Sequence, residues 1–349
     1  MTHQITHAQG WTPSRRHLIA SAGAALAAPW IGANAQGKIA GGKPITLVVS
    51  YPPGGGADLM ARTIAPKLEA ALGQTVVVEN KAGASGQLAA GHVARAAADG
   101  SVLLLDASSF AVNPSLFRRL PYNSSTAFTP LAVLATFPNV LVCTPSFEAK
   151  DVKDVIRLAK AKPLNYASSG NGSAQHLAGA LFEQRAGVDL THVAYRGGGP
   201  AMNDVMGGQV PLFFANVASS LGHIKAGKLR PLAVTSLLRA RSLPEVQTMA
   251  EAGVSGYEVL EWNPILAPAG LSADTKASLV AGIRKALKPE GVVVLVEFRA
   301  EDDSVPIKPE HKMSRDQILK ELTVNGFQLK REFKELPWQH MMFFGKAES

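Results

Sequence analysis

Short apolar, strand-like runs alternating with helical patterns predict an α/β fold, and three stretches carry the prediction. Ile45 to Val49 breaks on Pro52-Pro53-Gly54-Gly55-Gly56, and an apolar pattern of helical period at Leu59, Ile64 and Leu68 follows at once. Leu164 to Ala167 runs into Ser168-Ser169-Gly170-Asn171-Gly172-Ser173 and a helix from Ala174 to Gln184. His192 to Tyr195 runs into Arg196-Gly197-Gly198-Gly199-Pro200 and a helix from Ala201 to Met206. Each is a strand, a glycine or hydroxyl turn and a helix start.

The 349 residues, 46% hydrophobic and 18% charged, suit a globular chain with room for two domains. The formal charge of +8 is scattered, with no basic stripe and no interleaved aromatics, so no nucleic acid is expected as a partner. Near the N-terminus, Ser14-Arg15-Arg16-His17-Leu18-Ile19 reads as a twin-arginine-like start, an Ala-rich apolar stretch runs to Ile31, and Ala33-Asn34-Ala35 supplies a cleavage site before Gln36. Residues 1–35 are therefore expected to be a signal peptide cleaved near Ala35-Gln36, with a periplasmic product; an uncleaved anchor is the alternative. The single cysteine, Cys143, excludes an internal disulfide and is expected to be a buried apolar side chain. No metal-ligand spacing is present.

After the first unit the expected order is a strand at Thr75–Glu79, a helix at Gln87–Ala97 and a strand at Val102–Leu105, ending in Asp106-Ala107-Ser108-Ser109. A strand at Val140–Val142 and a helix at Asp151–Ala161 follow, the latter apolar at Val152, Val155, Ile156 and Ala159. Beyond the two later turn units come Leu212-Phe213-Phe214, Asn216, a helix at Ser220–Ala226 and a strand at Leu232–Val234.

The chemistry lies at the helix starts. Their N–H groups lack intrahelical partners and sit at the positive end of the helix dipole, so such junctions hold carboxylates or phosphates. The first turn has neither the Gly-Lys-Ser/Thr of a P-loop nor the spaced glycines of a dinucleotide fingerprint. Three such turns split between two domains suit an anion with polar groups at both ends. Asp58 is expected as an N-cap, Arg196 is a candidate clamp, and His176 is a hydrogen-bonded or pocket-edge histidine. Ser169 with His176 could form a nucleophile and base, but no G-x-S-x-G elbow frames the serine.

Tyr51-Pro52-Pro53-Gly54-Gly55 with Asp58 and Arg62, Val77-Val78-Glu79-Asn80-Lys81-Ala82-Gly83-Ala84, Ala98-Asp99-Gly100, Asn113-Pro114, Leu120-Pro121-Tyr122, Asn165 to Gly172 with His176-Leu177-Ala178-Gly179, Gly207-Gly208-Gln209-Val210, His223 to Arg230, and Leu266-Ala267-Pro268-Ala269-Gly270 closely resemble the Bug family, the TctC-like extracytoplasmic solute receptors of tripartite tricarboxylate transporters. The resemblance runs from about Pro44 to about Leu287. It implies a two-lobed venus-flytrap fold of the type II periplasmic-binding-protein kind, each lobe a mostly parallel sheet with helices. It implies no catalysis and no cofactor, a small carboxylate ligand, permease subunits as partners, and a monomer. The ligand-binding positions it implies are Tyr51, Pro53, Gly54, Gly55, Ala57, Asp58, Ser108, Asn113, Ser168, Ser169, Gly170, Gly172, Ser173, His176, Tyr195, Gly197 and Asn216. Family members often carry Asp where this chain has Ala215, an acid that serves amino-bearing ligands; its absence favours a plain carboxylate. Lobe 1 is expected at 36–140 with 262–287, and lobe 2 at 141–261.

After Leu287 the pattern changes. Lys288-Pro289-Glu290-Gly291, a strand at Val292–Glu297, a helix at Ser314–Asn325 stopped by Gly326, a strand at Phe327–Phe333 and Pro337-Trp338-Gln339-His340 resemble the C-terminal end of a class I S-adenosylmethionine-dependent methyltransferase. No cofactor-binding glycine loop precedes them, so methyltransferase activity is not expected. The expected consequence is a first lobe short of its usual closing helices, with apolar surface exposed unless this tail covers it. A destabilised fusion, or a ligand sensor feeding a signalling partner, stands as the alternative to a transport receptor.

Overall fold

The computed structural model describes residues 38–286, 292–301, 312–324, 327–333 and 339–346. The expected signal peptide, Lys288 to Gly291, Gly326 and Pro337-Trp338 lie outside the described residues.

The first unit is β1 (Ile45–Val49) and α1 (Gly56–Leu72), followed by β2 (Val76–Asn80), α2 (Gln87–Val93), β3 (Val102–Leu105) and α3 (Ser109–Leu116). β1 pairs in parallel with both β2 and β3, so its carboxyl end and that of β3 open on the same side. The buried stripe of α1 is Ala57, Ala61, Ile64, Ala65 and Leu68. Leu59, expected on that stripe, is 43% exposed, because two residues of helix turn it well away from the face that Ala57 and Ala61 define.

β4 (Phe128–Cys143) joins two sheets. Up to Pro138 it pairs antiparallel with β9 (Leu260–Pro268); from Asn139 it pairs antiparallel with β7 (Leu212–Asn216), and from Val140 with β8 (Arg230–Val234). The sequence pattern showed only its last residues, because Pro130 and Pro138 break the strand signal. Register shifts between Pro130 and Ala132 and between Val133 and Ala135 bend the strand, as bulges do.

The second sheet has the order β6-β5-β7-β4-β8, where β5 is Leu164–Ser168 and β6 is Leu190–Ala194. Its helices are α4 (Val152–Ala161), α5 (Ala174–Ala186), α6 (Gly198–Met206) and α7 (Val217–Lys225). Asp151 caps α4 by accepting from the Asp154 N–H at 2.8 Å. Cys143 is fully buried in this lobe, packed with Leu141, Phe214 and Leu232.

The chain returns through β9 to the first sheet and continues into α8 (Ala273–Ala286), β10 (Val292–Arg299), β11 (Lys312–Met313), α9 (Arg315–Val324), β12 (Phe327–Phe333) and β13 (Gln339–Lys346). The first sheet runs β12-β13-β10-β4-β9-β3-β1-β2, with β11 beside β10. Both sheets are mixed where mostly parallel ones were expected. β4 and β9 cross between the lobes as long single strands and lie antiparallel to their neighbours, and the tail adds further antiparallel pairs.

The tail also enters the core. Ile318, Leu322, Phe327 and Met342 are buried in the same cluster as Ile45, Leu47, Leu68, Leu279 and Ile283, and the Arg284 guanidinium lies 5.9 Å from the centre of the Phe327 ring. These residues cover apolar surface that the first lobe would otherwise present to water. α8 crosses α1 closely: a Cβ on Gly282 would stand 2.3 Å from Leu72 Cδ2.

Candidate functional site

Four helices begin on one cavity. α1 brings Gly55, Gly56 and Ala57; α5 brings Ser173, Ala174 and Gln175; α6 brings Gly198; α7 brings Asn216 and Ser219. The N-caps of α1 and α6 are Gly55 and Gly197, neither of which has a side chain to offer the first N–H groups. Ser173 and Asn216 cap α5 and α7 by accepting from the His176 and Ser219 N–H groups. The cavity therefore faces converging positive dipole ends, and no lysine or arginine lines it among the described residues.

The turns meet across the cleft at backbone distance. A Cβ on Gly56 would stand 2.3 Å from Asn216 Nδ2, so only glycine admits that amide beside α1. Gly197 has φ +138° and a Cβ there would meet Pro52 Cγ at 2.4 Å, a position closed to other residues on both counts.

A polar network joins the lobes beneath the helix starts. Gln175 Nε2 donates to Glu261 Oε2 at 2.6 Å and to Asn139 Oδ1 at 3.1 Å, and Asn216 Nδ2 donates to the same Glu261 oxygen at 3.1 Å. Burial pushes the Glu261 carboxyl up from its ordinary range, against the pull of those two amides. Tyr51 lines the cavity with its hydroxyl donating to Ser109 Oγ at 2.8 Å, and burial, then the nearby Asp106, pushes that hydroxyl up. Asp106 itself is fully buried off the cavity. Its Oδ1 accepts from Ser50 Oγ and the Ala107 N–H, its Oδ2 has no partner, and burial raises it to about 7.

The hydroxyl turn is held from behind by two stacked imidazoles. Ser168 Oγ and His192 Nε2 are 2.6 Å apart, the Gly172 N–H donates to His176 Nδ1 at 3.1 Å, and the ring centroids of His176 and His192 are 4.1 Å apart. Burial, then the neighbouring His176, lowers His192 to about 4, so it is neutral near pH 7. The serine beside an imidazole is thus Ser168 with His192, in keeping with the sequence reading that set the Ser169–His176 pair aside.

Of the expected positions, Tyr51, Gly55, Ala57, Ser169, Ser173 and Asn216 line the cavity. The rest lie behind or beside it. Asp58 is not the N-cap: it is the third residue of α1, accepting from the Gly54 N–H, Arg62 Nε and Asn80 Nδ2. Those contacts fold the Pro53-Gly54 turn back on the helix. Burial alone would raise Asp58, and the three donors outweigh it and hold it low. Ser168 is fully buried, Gly170 accepts from its hydroxyl, and His176 faces the Gly172 N–H. Ser108 and Asn113 are buried with Oγ and Oδ1 unpartnered, while Tyr195 donates to Asp204 Oδ2 at 2.7 Å and Gly197 packs on Pro52. Arg196, the candidate clamp, is exposed and does not line the cavity. Ala215 is buried in the cluster that holds Val140 and Phe213 and is not among the residues that line the cavity.

Sequence reasoning did not assign Gly56, Ala107, Ala174, Gln175, Gly198, Phe213, Ser219 and Glu261 to the site. Gln175 had a signal, two residues past the Ser173 cap. Glu261 had none, since its neighbours in space are far away in sequence.

A family model described as the tripartite tricarboxylate transporter family receptor, TctC, matches residues 60–323. The chain belongs to this family. It is 41% identical over 254 residues to a UPF0065 protein in the tcbD-tcbE intergenic region of Pseudomonas sp., covering 72% of this chain and 76% of that one. It is 36% identical over 280 residues to BugT of Bordetella pertussis, covering 79% and 86%. Among solved structures, an R. palustris protein with adipate is 38% identical with TM-score 0.68, covering 69% of this chain and 82% of that one. The periplasmic binding protein BugD is 35% identical with TM-score 0.67, covering 70% and 82%. MatC from Rhodopseudomonas palustris with bound malate is 32% identical with TM-score 0.66, covering 70% and 84%. The TctC receptors are solute-binding proteins, and this chain has their two-lobed α/β fold. The TctC match runs well past Leu287, and these likenesses lend the methyltransferase resemblance of the tail no support.

Proposed function

We propose that this protein is a periplasmic receptor that captures a small organic carboxylate between its lobes and delivers it to the membrane permease of a tripartite tricarboxylate transporter. The observation that carries this reading is the convergence of four helix N-termini on one cavity that no lysine or arginine lines among the described residues. Backbone N–H groups, with the hydroxyls of Ser169 and Ser173, replace the water shell of a carboxylate without a buried arginine, while Tyr51 and Ser219, whose hydroxyls donate to Ser109 Oγ and to the Asn216 carbonyl, form the wall around them. The relatives with adipate and malate support the ligand class. Gly55, Ala57 and Asn216 complete the proposed contact set. Pro53, Gly54, Asp58, Ser168, Gly170, Gly172 and His176 shape the turns, and Ser108, Asn113, Tyr195 and Gly197 support them.

Residues 1–35 serve as the export signal in this reading. Lobe 1 comprises 36–140 and 262–287, and lobe 2 comprises 141–261. The tail from residue 288 acts as a brace, which the burial of Ile318, Leu322 and Phe327 against the first lobe supports over a destabilised fusion.

Thermal unfolding of the purified protein against a library of organic acids tests the ligand class. An acid present at about 100 times its Kd adds roughly 2.7 kcal/mol, a shift of several degrees. No shift with any acid overturns the reading.

A further inference from the structure

Glu261 is the cavity residue whose chemistry a carboxylate ligand leaves unused. The residue is 5% exposed, yet it lines the cavity. Both amides that reach it, Gln175 and Asn216, donate to Oε2. No described residue donates to Oε1, and no cation pairs with the carboxyl among the described residues. The wall thus holds an acceptor oxygen beside converging helix starts.

A ligand carboxylate is favoured at those starts, whose partial charges are positive. A second ligand carboxylate set against Glu261 meets a like charge in a site shielded from water, which opposes the ionisation of both. A ligand N–H or O–H set against the same oxygen makes a charge-assisted hydrogen bond instead.

The geometry points to Glu261 as a specificity-determining residue that accepts a hydrogen bond from the ligand, so that the receptor prefers a carboxylate carrying an ammonium or hydroxyl group over a plain diacid of the same length. This inference rests on the carboxylate reading above. It adds to it a donor group on the ligand and a residue that selects for it.

The test is calorimetric titration of the full-length protein and Glu261→Gln with acids matched in length: succinate, 4-aminobutanoate and 4-hydroxybutanoate, then glutarate and adipate with their ω-amino and ω-hydroxy counterparts. In the wild type the amino or hydroxy acid of at least one length binds roughly tenfold or more tighter than its diacid. In Glu261→Gln, which keeps an oxygen for Gln175 and Asn216, that ratio falls to within about threefold. The ratio is read within one protein, so a general loss of stability leaves it unchanged; a Glu261→Asp variant, retaining the charge, keeps the sign of the preference. Diacids that bind the wild type as tightly as their partners, or a preference that survives in Glu261→Gln, overturn the assignment while leaving the carboxylate reading intact. Absence of binding by every acid, diacids included, overturns both.

Discussion

The cavity wall has two parts made in different ways. At Gly55–Ala57, Ser173–Gln175 and Gly198, strand-turn-helix units present their own first turns, and each needs only residues adjacent in the chain. Around Glu261, its donors Gln175 and Asn216 arrive from α5 and β7, and Asn139, which accepts from Gln175, arrives from β4. Asn216 belongs to both parts, since it caps α7 through Oδ1 and donates to Glu261 through Nδ2. The difference teaches that attraction for an anion is a local property repeated along this chain, whereas the acid beside it exists only once the lobes are joined.

Breaking the junction between the two parts should have the largest effect. Gly56→Ala drives a Cβ into the Asn216 amide and displaces it from Glu261. Overpacking of this kind costs about 1–3 kcal/mol of stability, so the melting temperature should fall by several degrees, and ligand affinity by calorimetry should fall with it as the start of α1 is pushed off the Asn216 amide. An unchanged melting temperature with intact affinity would show that the two parts do not meet at this glycine.

Asn216→Ala removes the cap and one of the two donors to Glu261 while leaving the α1 turn alone. Loss of an N-cap costs about 1 kcal/mol and a hydrogen bond to a buried charged group about 1.5–3 kcal/mol. Denaturant unfolding should register a loss within that range; a change below a few tenths would mean that Gln175 alone holds Glu261.

The two buried acids sharpen the comparison further, because Asp106 is sealed where Glu261 faces the cavity. Asp106 is raised to about 7, so its contribution to stability is fully present below the unfolded value near 3.8 and is lost as pH rises towards 7. Asp106→Asn should therefore raise stability at pH 8 by about 1–2 kcal/mol, with the gain shrinking as pH falls to 4. An equal gain at both pH values would separate Asp106 from this linkage.

The smallest expected effect belongs to the turn brace. His192 is lowered to about 4, so the unfolded chain binds the proton first, and stability present above pH 6.5 declines as pH falls through the window down to about 4. A His192→Gln variant should flatten that decline in a thermal scan across pH. A decline of unchanged slope would assign it to other groups.

Much of the first part of the wall was legible. Glycine and hydroxyl runs between an apolar strand and a helical period mark a helix start without any tertiary information, and the turns at Pro52–Gly56, Ser168–Ser173 and Arg196–Pro200 were found that way. What failed was the direction of individual side chains. Asp58 is a good cap residue by type, but the chain enters α1 at Gly55, which leaves Asp58 to bind Gly54, Arg62 and Asn80. Ser169 and His176 are near in sequence, yet the imidazole at hydrogen-bond distance from a serine of this turn is His192, because β5 and β6 are paired neighbours in the sheet. The tail shows the same limit: its strands and helix were readable, while their addition to the first sheet through β10 and β4 was not.

The sequence by itself determined the α/β class, the strand-turn-helix junctions and the chemistry that favours an anion, since all three follow from backbone propensity and dipoles within about 20 residues of chain. Only the tertiary structure decided which junctions share a cavity, that β4 bends to serve two mixed sheets, that the tail closes the first core, and that Glu261 stands at the cavity wall. Those outcomes depend on strand pairing and packing between residues as far apart as Asn139 and Glu261 or Leu47 and Phe327, and nothing in a local pattern encodes such a meeting.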